Sequence, residues 1–149
     1  MKNLLLLLML LSLKLYAQDN KAYLRRDVTI RPARVISSSE EWGGTPEPLF
    51  KVHKASDRSL KNCKVYAKVI ECRKSNLSGA EGRMIIRPLY ILDNDGNKIS
   101  VYGDIYLSGI NRSNIKMIFC FIPFMWFVPG GGAKTGSDEF HIYYEEYPE

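Results

Sequence analysis

The sequence predicts an all-β fold, a small antiparallel sandwich or barrel with little helix. Three observations carry that expectation. Short stretches of alternating apolar and polar residues recur along the chain, and Gly, Pro, Asn and Asp punctuate them at close intervals. No segment sustains a 3.6-residue apolar period between helix caps. The chain has 149 residues, 46% hydrophobic and 25% charged, a balance that suits one folded domain and argues against disorder.

The chain opens on Lys2 and an apolar stretch, residues 4–13, interrupted only by Ser12. Leu15, Tyr16 and Ala17 then supply permissive residues at the positions a signal peptidase reads. The stretch is about half the roughly twenty residues that a membrane span requires. It has the form of a cleavable secretory signal, residues 1–17, with a retained anchor as the alternative. Residues 18–149 then form a single β-rich domain with 18–26 as a flexible lead-in. Gln18, not Cys, follows the junction, so the expected product is periplasmic or extracellular and not lipid-anchored.

Lys and Arg number 21 against 16 Asp and Glu, and removing Lys2 and Lys14 leaves only a small basic excess. The bases are spread along the chain, and nucleic acid is therefore not an expected partner. Arg25 and Arg26, followed by Arg31 and Arg34, read as a solvated strand face.

Residues 28–36 are β-rich, with Pro32 marking an edge or bent strand. Residues 37–48 are a loop by composition, 49–54 a short strand, and 57–62 a polar turn that can hold one helical turn. Residues 64–72 form a clearer strand with Val65, Ala67 and Val69 on one face. Lys64, Tyr66, Lys68 and Ile70 take the other. After a loop over 73–82, the next strand sets Met84, Ile86, Tyr90 and Leu92 on one side, with Arg87-Pro88 signalling a bulge or an edge. Residues 93–97 (DNDGN) separate alternating runs, which predicts an antiparallel hairpin of strands 83–92 and 98–107. Residues 138–147 close the chain as a strand with Phe140, Ile142 and Tyr144 on one face.

Residues 117–128 (MIFCFIPFMWFV) are uncharged and aromatic. Twelve residues with Pro123 inside them are too few for a membrane-crossing helix. Two readings stay open: a buried core element, or an exposed lip that docks on a protein or envelope component, with membrane-surface contact also open. Trp42, Phe124, Trp126 and Phe127 are the expected contact residues, because amphipathic aromatics supply interface energy.

No reaction centre is legible. His53 and His141 are the only histidines, and no local pattern joins either to Cys63, Cys72 or Cys120. Cys120 sits among Phe119, Phe121 and Ile122, where burial would raise its thiol pKa. Cys63 and Cys72 lie at opposite ends of one extended segment, too far apart to pair, while a bridge from either to Cys120 stays open. Asp93, Asp95 and Asn97 alternate like calcium ligands, but Lys98 stands where that loop needs Gly, and a turn explains them better. The glycines at 130–132 lack the following Lys-Ser/Thr of a phosphate cradle. The expected function is non-catalytic binding or a part in cell-envelope structure, with no cofactor and no metal. The alternative is a small periplasmic hydrolase of envelope polymers using Asp95, Asp104 or His141.

Residues 93–149 carry a further pattern. It runs from Asp95-Gly96 through Ile99, Val101 and Gly103 to Gly109, Asn111 and Arg112. The apolar run follows, then a glycine phrase from Gly131-Gly132 to Gly136, and the closing Phe140, Ile142 and Tyr144. This resembles small exported β-domain proteins of Bacteroidetes-type bacteria, and the Ala17-Gln18 junction is similar to signal sequences of that group. Thr135 departs from the aliphatic residue usual there. The resemblance implies an exported location and a β fold and assigns no catalytic residue.

Overall fold

Alternation of period two, read from the sequence, is what the backbone builds. A computed structural model describes residues 24–112 and 129–146. Their strands are β1 (Leu24–Pro32), β2 (Ile36–Ser37), β3 (Glu47–Ala55), β4 (Lys64–Arg73), β5 (Arg83–Leu92), β6 (Lys98–Ser100), β7 (Ile105–Ser108), β8 (Lys134–Thr135) and β9 (Phe140–Glu146). The one helical element among them is a single 3₁₀ turn, Arg58–Leu60, whose cap Asp57 accepts from the Ser59 N–H at 2.8 Å. The chain divides into two units. One is Arg26–Tyr144; the other joins Met1–Arg25 to Glu145–Glu149, and only the ends of β1 and β9 are described in it.

In the larger unit the strands run in the order β6-β5-β4-β3-β1-β9, with β7 also on β5. The sheet is antiparallel and nearly closed, like a barrel. Tyr102 and Tyr143 make a two-way backbone bridge, 2.8 and 3.1 Å, that ties the chain beyond β6 to β9. Inside lie Ile30, Phe50, Val65, Ile86 and Ile142, all at most 1% exposed. Val65, Ala67 and Val69 face inward as predicted, as do Ile142 and Tyr144, with Phe140 packed against the core.

Several boundaries differ from the sequence expectation. β1 starts before residue 28 and lies between β3 and β9, so it is an interior strand and not an edge. It is bent by a register shift at Thr29/Ile30, and Pro32 is tolerated because it is the last residue of the strand. Residues 36–37 belong to a separate two-stranded sheet with β8, which carries no sequence signal of its own.

In β5, Pro88 pairs with Ala67 and Tyr90 with Tyr66, leaving Leu89 as an extra residue. Alternation therefore slips: Ile91 is buried, while Tyr90 and Leu92 leave the face of Met84 and Ile86. β5 is not an edge either, because β6 and β7 cover its far side. The predicted strand 98–107 breaks between them, and Pro88, which has no N–H to give, stands opposite the break. The Asp93–Asn97 hairpin forms as expected. The Asp93 carboxylate accepts from the backbone N–H groups of Asp95 (2.9 Å) and Asn97 (2.7 Å), and Gly96 takes φ +87°.

Candidate binding face

The register of the sheet assembles a feature invisible in linear order. Arg31 on β1 pairs with Lys51 on β3, Lys51 with Lys64 on β4, Lys64 with Leu92 on β5, and Leu92 with Lys98 on β6. All four bases are exposed, and the strand neighbours of Arg31, Lys51 and Lys64, namely Ile30, Phe50, Val52 and Val65, point inward. At about 4.8 Å between strands the row spans roughly 19 Å. Among the described residues no carboxylate pairs with Lys51, Lys64 or Lys98.

Only the β1 end of the row is answered. Glu139 receives hydrogen bonds from Arg31 Nε (3.1 Å) and Arg31 Nη2, lies 3.4 Å from His53 Nε2 and reaches Lys54 Nζ at 4.0 Å. The β1 bulge explains this crowding, because Thr29 pairs with Lys54 and Ile30 with Val52, which leaves His53 as the extra residue.

Beside the row, Tyr66 and Tyr90 stack with centroids 4.9 Å apart and planes at 15°. Lys98 Nζ lies 5.0 Å above the Tyr90 ring. The break between β6 and β7 then opens a depression of about 580 Å³ edged by Arg87, Ser100, Tyr102, Asp104 and Tyr106. Arg87 grips Asp104 through two hydrogen bonds, 2.8 and 2.7 Å. Tyr106 also lines a second depression of about 250 Å³ with Glu71, Arg83 and Ile85, and the residue is 71% exposed.

Three carboxylates of this unit are held ionised by arginines. Hydrogen bonding to Arg87, Arg31 and Arg83 lowers Asp104, Glu139 and Glu81 below their ordinary values of 3.8, 4.5 and 4.5 respectively. A carboxylate with a depressed folded-state pKa adds stability above its unfolded value and loses it as pH falls through the folded value. Urea midpoints are therefore expected to stay level from neutral pH to about pH 5 and to drop below about pH 4. Arg87→Gln flattens part of that drop.

Trp42 is half-buried against the core. Its indole N–H donates to the Ser37 carbonyl at 3.2 Å, and Arg34 lies 5.0 Å over the ring, so its contacts secure its own loop. Phe124, Trp126, Phe127 and Cys120 lie outside the described residues, as do the predicted leader and the apolar run 117–128. Asp95 sits exposed on the hairpin turn. Asp104 is bonded to Arg87, whereas His141 Nδ1 lies 3.4 Å from Thr29 Oγ1, and among the described residues no hydrogen bond or ion pair joins Asp104 to His141.

Cys63 is buried and Cys72 exposed; both are free, and partial desolvation of the sulfur, the largest cause for each, pushes both thiols up. That disfavours the thiolate a nucleophile needs. Among the described residues no group of three or more His, Cys, Asp or Glu could hold a metal ion. No helix there is long and apolar enough to cross a membrane.

Sequence reasoning missed the basic row and Tyr106. The available signal was the recurrence of Lys at outward positions of successive strands, but which lysines stand opposite one another depends on bulges that the sequence only hinted at. Fold and face together define a barrel-like β-domain with a built outer surface. No family model matches the chain, and no curated protein and no solved structure matches it.

Proposed function

We propose that this is an exported, non-catalytic binding domain that acts at the cell envelope, and that it binds through the outer face of β4, β5, β6 and β7. The location rests on the leader-like N-terminus and on the resemblance to small exported β-domain proteins. The observation that carries the binding reading is Tyr106, a mostly exposed ring on a rigid strand with a depression on each side. Sheet pairing with β5 fixes its backbone, so no loop has to be ordered on binding. Beside it Asp104 is oriented by Arg87, giving acceptor and donor groups already in place.

The test is co-sedimentation with washed envelope fragments. Tyr106→Ala is expected to leave folding stability within about 0.5 kcal/mol, as suits an exposed position. It should weaken retention about tenfold, the equivalent of about 1.4 kcal/mol. Retention equal to wild type would remove this face from consideration.

A further inference from the structure

The geometry points to a ligand class for this face: we propose that it takes an acidic polysaccharide, a linear glycan bearing carboxylates. The chain would lie across β3 to β6 on the lysine row and continue from Lys98 along the depression beside β5 toward Tyr106, which stands seven residues along β5 from the row. The proposal rests on the binding reading above and deepens it.

Like charges directly opposite one another on neighbouring strands cost stability. Arg31, Lys51 and Lys64 nonetheless occupy mutually facing positions on three successive strands, and Lys98 extends the line beyond Leu92. Glu139 answers only the Arg31 end. A row of this kind presents a positive line, not a broad patch, and its spacing is that of the strands. A uronic-acid chain sets out one carboxylate per ring, a repeat close to that spacing.

The surroundings separate this ligand from other polyanions. Tyr90 is flanked by Tyr66 on the β4 side and by Lys98 on the β6 side, so its ring faces are already used. Single-stranded nucleic acid needs free ring faces next to its cations for base stacking. The depressions beside Tyr106 hold Arg87 paired with Asp104 and Arg83 paired with Glu81, so these cations are already met within the protein and the polar atoms there suit hydroxyls. A ligand rich in hydroxyls with spaced carboxylates satisfies both halves of the face.

The purified protein is titrated calorimetrically with alginate oligosaccharides, with neutral dextran, with an oligothymidylate and with phosphatidylglycerol vesicles. Wild type, Tyr106→Ala and the double variant Lys51→Glu/Lys64→Glu are compared, both lysines being exposed. Alginate is expected to bind, to bind less as ionic strength rises, and to lose about tenfold or more in the double variant. Dextran is expected to bind far more weakly. Binding of the oligonucleotide or the vesicles as tight as alginate, or an unchanged double variant, overturns the acidic-glycan assignment. Dextran binding that equals alginate and is lost only in Tyr106→Ala also overturns it, while leaving the binding face intact. Alginate binding that is lost in the double variant but unaltered in Tyr106→Ala supports the lysine row and sinks the Tyr106-centred reading instead. Failure of every glycan to bind overturns the acidic-glycan assignment, while retention on envelope fragments decides the binding face separately.

Discussion

Phe50→Ala is expected to cost about 3–5 kcal/mol, the largest effect of any single truncation considered. Phe50 is fully buried and meets Phe140 edge-to-face, with centroids 5.9 Å apart and planes at 80°. Those rings come from β3 and β9, which are separated in the sheet by β1, so the contact joins strands with no ladder between them. Truncation loses transfer energy, leaves a cavity and removes an aromatic pair worth about 0.5–1.5 kcal/mol. Against a typical native stability of about 5–15 kcal/mol, that is about a third or more of the total at the middle of the range and nearly all of it at the lower end. Equilibrium urea denaturation measures it. Phe50→Leu retains most of the burial and should cost less than half as much, and a Phe50→Ala cost below about 1 kcal/mol would contradict the assigned core.

Gly109→Ala is expected to be nearly as damaging, for the opposite reason. Three loops meet where Gly109 N–H donates to Gly82 O (2.9 Å), Gly82 N–H to Gly131 O (2.9 Å) and Gly131 N–H to Ile110 O (2.8 Å). A methyl group on Gly109 would stand 1.9 Å from the Gly131 carbonyl oxygen. The obstacle is backbone held by its own hydrogen bonds, so relief requires breaking the junction. Overpacking of this kind costs about 3 kcal/mol. Loss of amide protection at Gly82 and Gly131 in hydrogen exchange, together with the lowered urea midpoint, would show it. By contrast, the space around Gly96 is open, with nothing within 4 Å of an added methyl group. Alanine there meets only the strain of a positive φ, about 1–2 kcal/mol. A Gly109 variant no worse than a Gly96 variant would refute the close approach.

These two positions also show what was legible in the sequence. Alternation placed Val65, Ala67, Ile86 and Ile142 inside because a half-buried strand has period two, and DNDGN marked its hairpin because Gly and Asp satisfy that turn locally. The glycines at 109 and 131 were visible as a pattern, but their cause is a meeting of loops distant in sequence. Tyr90 and Leu92 were set on the wrong face because one bulge at Leu89 shifts every later residue, and a local pattern cannot count an extra residue. The same dependence on register hid the face itself: Arg31, Lys51, Lys64 and Lys98 become neighbours only after four strand pairings are fixed. Asp104 was visible as an acid, but not its grip by Arg87, which depends on β6 and β7 parting around Pro88.

The central claim is that this domain meets its ligand on the outer face of β4 to β7. Amide chemical-shift mapping during an alginate titration addresses it most directly. The largest changes are predicted at Lys64, Arg87, Ser100, Asp104 and Tyr106. Changes confined to Trp42 and to residues 117–128, with those strand positions unmoved, would contradict it.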